Sequence, residues 1–527
     1  MFQFVRWHAI LAVLHKATGE AVNEKTQKPN YDLLVIGGGI NGAGIARDAA
    51  GRGLRVILVE KKDLGHATSS ASSKLIHGGL RYLEQFQFRL VRESLNEREV
   101  MLAIAPHLVR PMTFVLPHSP DQRPVWMLRL GLWLYDHLGK RKRLERSRHI
   151  HLPDSPYGRA LKPGFRDGFT YADCWVDDAR LVVLSALDAA ERGADIRPRT
   201  TCTAATRGAG QWTLSLKSHN GQTEQVTARA MVNAAGPWAE TVDREVLKLT
   251  PRGTTRLVRG SHIIVPRLYD GDHAYILQTA EKRIVFVIPY EGNFTMIGTT
   301  EVDVDAMPDK PEASGEETAY LCRAVTPYMA RPVRPSDVVA TFAGVRPLYG
   351  EHHGSATELT RDYVLSLDRA EGAPALTVHG GKITTYRRLA EEAMDRLAPL
   401  LQTTSAPWTA GAPLPGGDLP GGDFEVFVQT MTAQYPWLNE ATVRRYAQTY
   451  GTRIRDLLKD CTCLADMGQD LANGGGLYER EVDYLVRREW ARTADDILWR
   501  RTKLGLHTGA DTRAKLDAWL IIRKDNR

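Results

Sequence analysis

Three glycines near the start of the chain have the spacing of a phosphate-binding turn. Gly37, Gly39 and Gly42 fit the pattern G-x-G-x-x-G. In that pattern the first glycine permits a tight turn, the second lets backbone approach a pyrophosphate, and the third lets a helix pack closely on a strand. Glu60 ends the next apolar run, where a carboxylate can accept hydrogen bonds from an adenosine ribose. The pattern therefore predicts binding of a dinucleotide.

The residues around these glycines supply the elements that such a turn requires. An apolar run from Leu33 to Ile36 precedes the turn, a small-residue pattern typical of a helix follows it, and a second apolar run covers Val56 to Val59. This order predicts strand, turn, helix and strand, so a glycine turn in an ordinary sheet protein is the less favoured interpretation. NAD and FAD share the same ADP half, and this unit does not distinguish them.

Three further segments have residue types that suit a bound cofactor. A Thr/Ser run after Glu60 continues into Gly78, Ala235-Gly236 follows an apolar strand end, and Gly380-Gly381 leads into a helix expected to begin near Lys382. Small hydroxyl groups can line phosphates, glycine lets backbone approach a flat ring, and a helix N-terminus favours negative charge. A solvated Ser-rich loop is the alternative for the first segment. The predicted cofactor-binding residues are Gly37, Gly39, Asn41, Gly42, Glu60, Thr68, Ser69, Ser70, Ser73, Lys74, His77, Gly78, Ala235, Gly236, Gly380, Gly381, Lys382, Ile383 and Thr384.

Composition is that of a globular enzyme with a small excess of cations. A chain of 527 residues should divide into about two or three domains. Its net charge of +7 suits an anionic substrate, a membrane surface or a nucleic acid, or describes a slightly basic enzyme. The 5 scattered cysteines favour a reducing cytoplasm over a disulfide framework. Cys461 and Cys463 have no second pair or nearby histidines, so we expect no metal site.

Contact with a membrane, if it occurs, is expected to be at the surface. The longest mostly apolar stretches fall well short of the roughly 20 residues that a spanning helix needs. Pro124 to Arg148 combines aromatic and aliphatic residues with a dense basic group, which is typical of a helix lying in the membrane plane. A packed core helix followed by a solvated basic loop is an equal alternative. Met1 to Lys28 are expected to be an N-terminal extension without a catalytic role.

The pattern of elements predicts an α/β (α+β) fold with three parts. A Rossmann-like FAD- or NAD-binding domain is expected over segments of about 29–110, 165–250 and 355–404. An antiparallel-sheet substrate domain is interleaved with it over about 111–164 and 251–354, where strand patterns dominate. A Pro- and Gly-rich linker at 405–422 then leads to a C-terminal helical domain at 423–527.

Ordered motifs extend from Tyr31 to near the C-terminus. They include VIGGGINGAGIARDAAGRG, ATSSASSKLIHGGLRYLE, YDHLGK, YADCWVDDARLV, NAAGPW, GSHIIVP, RIVFVIPY, IGTTE, GVRPL, TRDYVL, GGKITTYRRLAE and ADDILWRRTK. In these motifs the chain resembles the FAD-dependent glycerol-3-phosphate dehydrogenases, respiratory members of the D-amino-acid-oxidase-like flavoproteins. The resemblance implies non-covalent FAD, oxidation of sn-glycerol 3-phosphate to dihydroxyacetone phosphate, and ubiquinone or menaquinone as the electron acceptor. It also implies peripheral attachment to the cytoplasmic face of the cell membrane, and we expect a homodimer.

The resemblance also implies roles for individual side chains. Arg81, Arg346 and Tyr82 would hold the substrate phosphate, since guanidinium groups pair well with phosphate oxygens. Lys382 would supply positive potential to the substrate oxygen or to the flavin N1 and C2 carbonyl. His262 is the candidate base, because an ordinary histidine pKa of roughly 6.5 suits proton transfer near neutrality. A satisfied histidine at a strand edge is the alternative for His262. The predicted catalytic residues are thus His262, Lys382 and Arg346.

Other functions compete with this interpretation. A glycerol-3-phosphate oxidase of similar sequence would pass electrons to oxygen and make peroxide. An amine or amino-acid oxidase is disfavoured because the predicted site is rich in cations. The net charge also suits a flavin-dependent RNA-modifying or nucleic-acid-binding protein. No recognised nucleic-acid-binding module accompanies the charge, so we expect no nucleic-acid partner.

Overall fold

The computed structural model describes residues 30–119, 122–251, 253–351, 362–369 and 372–525, and the predicted N-terminal extension lies outside this part of the chain. The strands are β1 Tyr31–Ile36, β2 Val56–Glu60, β3 Leu75–Ile76, β4 Val109–Pro117, β5 Arg148–His151, β6 Asp167–Val176, β7 Asp195–Pro198, β8 Thr200–Arg207, β9 Trp212–Ser218, β10 Thr223–Asn233, β11 Gly253–Pro266, β12 Ala274–Gln278, β13 Ile284–Tyr290, β14 Phe294–Gly298, β15 Val302–Val304, β16 Ala340–Glu351, β17 Val364–Asp368 and β18 Ala375–His379. The longer helices are α1 Ile40–Gly51, α2 Phe88–Ile104, α3 Val125–Leu138, α4 Asp178–Glu191, α5 Gly315–Val325, α6 Tyr386–Leu401, α7 Phe424–Gln434, α8 Glu440–Tyr450, α9 Glu479–Arg488 and α10 Ala510–Asp525.

The first sheet brings the glycine-rich turn to an edge where parallel strands end. Its strand order is β17-β18-β10-β1-β2-β7, with β9 paired antiparallel to β10 and β8 paired antiparallel to β9. Ile36 at the end of β1 lies opposite Asn233 of β10 and Val59 of β2. β1 and β2 are apolar and largely buried, as expected for parallel strands covered on both faces. Helix α1 connects them and packs against α4 and α6. The predicted Rossmann-like fold class is confirmed.

The second sheet is built mainly from antiparallel strands. Its order is β15-β11-β14-β13-β12-β4-β6-β3, with β16 paired to β11 and β5 to β6. The β11–β16 pair is continuous from Gly253 opposite Glu351 to Ile264 opposite Ala340. β6 pairs with β4 from end to end and so lies in this sheet. The segment 165–250, which we predicted to belong entirely to the cofactor domain, therefore begins in the second sheet. The reason is that β6 pairs antiparallel with β4. The alternation of apolar and polar residues within β6 does not reveal which strand it pairs with.

The C-terminal helices α7 to α10 share a core of their own. The Pro- and Gly-rich stretch 405–422, predicted to be a linker, is packed against its neighbours around residues 408–409 and 414–419 and is mostly exposed elsewhere. Trp408 donates its indole N–H to the Asp48 carbonyl of α1 at 3.1 Å, and Leu414 is buried in the core of the cofactor half. A Cβ at Gly416 would lie 2.1 Å from the Tyr450 carbonyl oxygen. Glycine is thus used here for close packing between the two parts of the chain.

Helix α3 exposes an apolar face. Trp126 is 63% exposed, and Leu130 and Trp133 are each 57% exposed, whereas Leu132 and Tyr135 are buried. Helix α3 is therefore packed in the core on one face and exposes apolar side chains on the other. Among the residues that the structure describes, no helix has the length and apolar character needed to cross a bilayer.

Candidate active site

A cavity of about 490 Å³ lies between the two sheets, within the range typical of cofactor and ligand sites. It gathers predicted residues from five separate parts of the chain. Those lining it are Gly37, Gly39, Asn41, Glu60, Thr68, Ser69, Ser73, His77, Tyr82, Ala235, Gly236, His262, Arg346, Gly380, Gly381, Lys382, Ile383 and Thr384.

The glycine turn forms a cradle of backbone at one end of the cavity. Gly37 has φ +110°, and a Cβ there would lie 2.4 Å from the Ala234 carbonyl oxygen. A Cβ at Gly42 would lie 1.9 Å from the Gly37 carbonyl oxygen, so the third glycine serves helix–strand packing and does not line the cavity. Gly39 precedes the first turn of α1, and the Ile40 N–H donates to Ser69 Oγ at 3.0 Å. The cradle thus presents a helix N-terminus, which favours an anion.

Glu60 closes the cradle at the end of β2. Its Oε2 accepts the Gly38 N–H and its Oε1 accepts the Lys62 N–H, each at 2.8 Å. Burial raises the pKa of Glu60, and these two backbone hydrogen bonds oppose the rise. A carboxylate offers about four lone-pair positions, so two bonds leave it able to accept hydrogen bonds from a ligand.

An aromatic wall beside Glu60 was missed from the sequence. The Lys61 ammonium lies 3.6 Å from the centre of the Trp238 ring, and the His66 ring is stacked with Trp238 at 6.2 Å. All three side chains line the cavity. Lys61 directly follows Glu60 and Trp238 ends the NAAGPW motif, so proximity to predicted residues was the signal that could have identified them.

The Ala235-Gly236 turn is held by an asparagine. Asn233 donates to the Ala239 carbonyl at 2.8 Å and to Asp243 Oδ1 at 2.7 Å, and its own Oδ1 accepts the Ala235 N–H. These bonds fix the turn that lines the cavity beside Gly37.

The Thr/Ser segment joins the cradle to the second sheet. Thr68 Oγ1 donates to the Val345 carbonyl of β16 at 2.6 Å, and Ser73 Oγ lies 2.9 Å from His262 Nε2 on β11. Ser69 bonds the start of α1, as described above. This segment therefore fixes the position of the cradle relative to the strands that carry His262 and Arg346.

His262 is a buried, neutral histidine at the cavity wall. Its ring stacks on Phe342 with centroids 4.7 Å apart, and its Nδ1 has no hydrogen-bond partner in the part of the chain that the structure describes. Burial, and then the cations of Lys74 and Arg346, lower the pKa of His262 to about 3. The ring is therefore uncharged at neutral pH, and it is a weaker base than the ordinary histidine that we expected from the sequence.

Arg346 reaches the cavity across a glycine. A Cβ at Gly260 would lie 2.8 Å from Arg346 Nη2 and 2.7 Å from Thr299 Oγ1, so only glycine leaves them this space. Arg346 Nη2 donates to the Thr300 carbonyl at 3.3 Å, and Nη1 lies 4.0 Å from Glu301 Oε1. Because the guanidinium side chain is 40% exposed, these contacts orient it without burying it.

The Gly380-Gly381 turn brings Lys382 to the same space. Gly380 and Gly381 have φ +68° and +96°, values that favour glycine. Asn41 of α1 donates to the Gly380 carbonyl at 3.1 Å, which ties this turn to the cradle. The Lys382 ammonium lies 3.7 Å from the centre of the Tyr82 ring, a cation–π arrangement. The helix that we expected near Lys382 begins at Tyr386, after a tight turn at Ile383–Thr385.

Five predicted residues lie outside the cavity lining. Gly42 packs α1 on β1, and Gly78 is buried behind the lining. Lys74 is buried, and its Nζ pairs with Asp178 Oδ1 at 2.8 Å, so it is not available to a ligand. Ser70 donates to its own turn, at the Ala67 carbonyl. The Arg81 side chain is exposed, although its neighbour Tyr82 lines the cavity.

The assembled cavity combines two kinds of site. The cradle suits a pyrophosphate and an adenosine, and the end formed by the second sheet carries Arg346, Lys382 and a neutral histidine. Two cations suit an anionic group such as phosphate. Within the described residues, no group of three or more histidine, cysteine or acidic side chains is arranged to hold a metal ion.

Two family profiles together match almost all of the chain. The profile described as FAD dependent oxidoreductase matches residues 32–406, and the profile of the C-terminal domain of alpha-glycerophosphate oxidase matches residues 408–523.

Known proteins match over nearly their whole length. The chain is 52% identical to a glycerol-3-phosphate dehydrogenase of Pseudomonas aeruginosa, over 94% of this chain and 96% of that protein. It is 50% identical to a D-erythritol 1-phosphate dehydrogenase of Brucella abortus, over 93% and 97%. A crystal structure of a glycerol-3-phosphate dehydrogenase from Bacillus halodurans complexed with FAD superposes with a TM-score of 0.75 at 26% identity, covering 95% of this chain and 92% of that one.

Proposed function

The chain belongs to the FAD dependent oxidoreductase family, and we propose that it uses FAD to oxidise sn-glycerol 3-phosphate to dihydroxyacetone phosphate. The observation that carries the proposal is the position of Arg346 and Lys382 in the same cavity as the glycine cradle. A cofactor with a pyrophosphate and a substrate with a phosphate both find cationic or helix-terminal partners there. Relatives at half identity over nearly full length support the same chemistry.

The cavity residues fit FAD. Gly37, Gly39 and the N-terminus of α1 would hold the pyrophosphate, and Glu60 would accept hydrogen bonds from the ribose. Gly380 and Gly381 leave room for a flat ring, because side chains are disfavoured at both positions. The flavin supplies an acceptor for the hydride that leaves the substrate carbon.

The substrate phosphate is assigned to Arg346, Tyr82 and Arg81. Arg346 is already oriented by the Thr300 carbonyl and Glu301. A guanidinium can bind two phosphate oxygens at once, which fixes the rest of a small substrate. Arg81 is exposed and lies on the turn Leu80–Leu83 beside Tyr82, so its contribution requires its side chain to turn inward.

His262 is assigned as the base for the substrate hydroxyl. Oxidation of a secondary alcohol breaks an O–H and a C–H bond, and the proton from oxygen passes to a ring nitrogen of His262 as the hydride leaves carbon. The lowered pKa keeps that ring neutral before the reaction. Lys382 lines the same cavity, and we assign it to add positive potential where negative charge develops on the substrate oxygen.

A longer polyol phosphate is the second candidate substrate. D-erythritol 1-phosphate carries the same phosphate on a chain one carbon longer, and the similarity to the Brucella protein favours it almost as strongly. Comparing kcat/KM for the two compounds separates these proposals. A higher value for glycerol 3-phosphate, with dihydroxyacetone phosphate as the product, supports the first; a higher value for the four-carbon substrate replaces it with the second.

We further propose that electrons leave to a quinone at the cytoplasmic membrane. The exposed face of α3 is followed by the exposed basic residues Lys140, Lys142, Arg146 and Arg148. Exposed apolar side chains followed by a cluster of basic residues suit binding to an anionic bilayer surface. The alternative is an oxidase that uses oxygen, which similarity to the alpha-glycerophosphate oxidase C-terminal domain favours. Peroxide yield with and without a water-soluble quinone distinguishes them: quinone suppresses peroxide and speeds turnover only if quinone is the acceptor.

We propose that a cofactor domain is interleaved with a substrate-sheet domain and followed by a C-terminal helical domain, and that the chain forms a homodimer. Sedimentation of the flavin-loaded protein tests the dimer, and a mass of one chain contradicts it.

A further inference from the structure

A buried polar cluster lies directly behind the cavity wall, and nothing in the proposed chemistry uses it. It consists of Arg98 on α2, Tyr135 on α3 and Asp173 on β6. The three side chains are at most 2% exposed. The Tyr135 hydroxyl donates to Asp173 at 2.8 Å, and the Arg98 guanidinium donates to Asp173 and to the Ala172 carbonyl. Buried polar groups arranged in this way carry a high cost if one partner is removed.

On the side of the cavity the cluster meets the Gly78 backbone. The Gly78 N–H is shared between two acceptors, the Tyr135 hydroxyl oxygen at 2.9 Å and Asp173 Oδ1 at 3.3 Å. A Cβ at Gly78 would lie 2.5 Å from both that hydroxyl and Leu95 Cδ2, so the backbone is pressed against the cluster. Burial and the neighbouring Asp173 raise the pKa of Tyr135. Its oxygen therefore stays protonated, accepting from Gly78 while donating to Asp173.

Gly78 lies between two residues that line the cavity, His77 before it and Tyr82 after it. The His77 N–H donates to Thr384 Oγ1 at 3.3 Å, and His77 and Thr384 both line the cavity. Gly79, with φ +77°, begins the turn Leu80–Leu83, in which the Tyr82 N–H donates to the Gly79 carbonyl at 2.9 Å. Tyr82 in turn meets Lys382. The position of Gly78 thus sets where Tyr82 stands relative to Lys382.

We propose that Tyr135, oriented by Asp173 and Arg98, is a positioning residue that anchors the Gly78 backbone and thereby holds Tyr82 against Lys382 for substrate binding. Tyr82 and Lys382 bind substrate only under the proposed function, so the expected effect on KM rests on the proposed function. The anchoring of the Gly78 backbone is independent of that function. The hydroxyl acts through the turn and touches neither substrate nor cofactor.

The test is Tyr135→Phe in the flavin-loaded protein, which removes one hydroxyl and keeps the ring. The matched control is Tyr171→Phe, because Tyr171 is equally part of this core and packs edge-on against Tyr135 with centroids 5.8 Å apart. We expect Tyr135→Phe to keep its FAD and to raise KM for glycerol 3-phosphate about tenfold, the loss of one buried hydrogen bond. kcat should change by less than about twofold. Tyr171→Phe should leave KM unchanged. A KM for Tyr135→Phe equal to that of Tyr171→Phe would overturn the proposal.

Hydrogen exchange provides a readout that needs no substrate. The Gly78 amide should exchange faster in Tyr135→Phe than in the parent protein, with little change in Tyr171→Phe. Equal exchange in all three proteins contradicts the anchoring itself, even if glycerol 3-phosphate proves not to be the substrate. If Tyr135→Phe does not fold, Asp173→Glu replaces it, since it keeps the charge that pairs with the buried Arg98 while displacing the carboxylate oxygens from the Tyr135 hydroxyl and the Gly78 N–H. A smaller rise in KM together with faster Gly78 exchange then supports the role. If KM and the exchange rate both stay at the parental values, the role is contradicted.

Discussion

At the glycine end of the cavity the proposed ligand contacts are made by backbone and by one carboxylate, Glu60, whereas at the end formed by the second sheet they are made by long side chains. The cradle between Gly37 and Glu60 comes from one continuous unit of strand, turn, helix and strand. His262, Arg346 and Lys382 come from β11, β16 and the turn before α6. At the glycine end, Gly37 and Gly42 leave no space for a Cβ. At the other end, ligand binding depends on the chemical group that each side chain presents.

This difference predicts two distinct failure modes. A change at Gly37 or Gly42 should remove the cofactor, because a carbonyl oxygen occupies the position that a Cβ would take at each of them. A change at the other end should leave the cofactor bound and alter turnover or substrate affinity.

The largest effect is expected for Gly42→Ala. Its Cβ would lie 1.9 Å from the Gly37 carbonyl oxygen, so α1 must move away from the turn. We expect purified protein with no bound flavin and no activity, measured as the ratio of flavin to protein absorbance. Gly131→Ala is the control, because a Cβ at Gly131 meets nothing within 4 Å. Full flavin content in Gly42→Ala would show that the close packing of this glycine is not needed.

The next effect is on turnover. His262→Asn should lower kcat roughly a hundred- to ten-thousandfold, the usual contribution of a positioned base, with FAD content unchanged. The measurement is single-turnover flavin reduction. Reduction at the parental rate would remove His262 from the chemistry.

The pH dependence sharpens this assignment. Because burial lowers the pKa of His262 to about 3, the neutral ring persists on acidification and its advantage is lost only as pH approaches that value. The ratio of parental to His262→Asn kcat should therefore be constant from about pH 8 to about pH 5. A ratio that falls with a midpoint near the ordinary value of 6.5 would place His262 in a far more solvated site.

A smaller effect is expected on substrate affinity. Arg346→Ala should raise KM for glycerol 3-phosphate roughly 10- to 100-fold, as expected for loss of a charged hydrogen-bonding partner, and Arg346→Lys should fall between. Arg283→Ala is the control, since Arg283 is exposed and lies outside the cavity lining. An unchanged KM in Arg346→Ala would move the phosphate site elsewhere.

The smallest catalytic effect is expected on the exposed face of α3. Replacing Trp126 and Trp133 with serine should weaken binding to anionic vesicles by about tenfold or more. Turnover with a water-soluble quinone should not change. Ile521→Ser with Ile522→Ser is the control, because these residues are similarly exposed on α10. Equal vesicle binding by both double variants would exclude α3 as the membrane contact.

The same contrast explains what could be predicted from sequence. The cradle is local, so the spacing of its glycines and the strands on either side were sufficient to identify it.

Tertiary packing decided the features that were missed. Lys74 lies in a run of hydroxyl residues that suits a phosphate, but Asp178 of α4 takes its ammonium. The stretch 405–422 has the composition of a linker, yet its Gly416 packs against the backbone of α8 and its Trp408 against α1. Neither partner is near in sequence, so no local pattern could identify it.

The central claim is that the cradle and the cationic end serve one reaction, and anaerobic addition of glycerol 3-phosphate to the flavin-loaded protein tests it most directly. We predict that the absorption band of the oxidised flavin is bleached, with dihydroxyacetone phosphate formed in equal amount. A band that persists with glycerol 3-phosphate, in protein shown to carry FAD, would contradict the account.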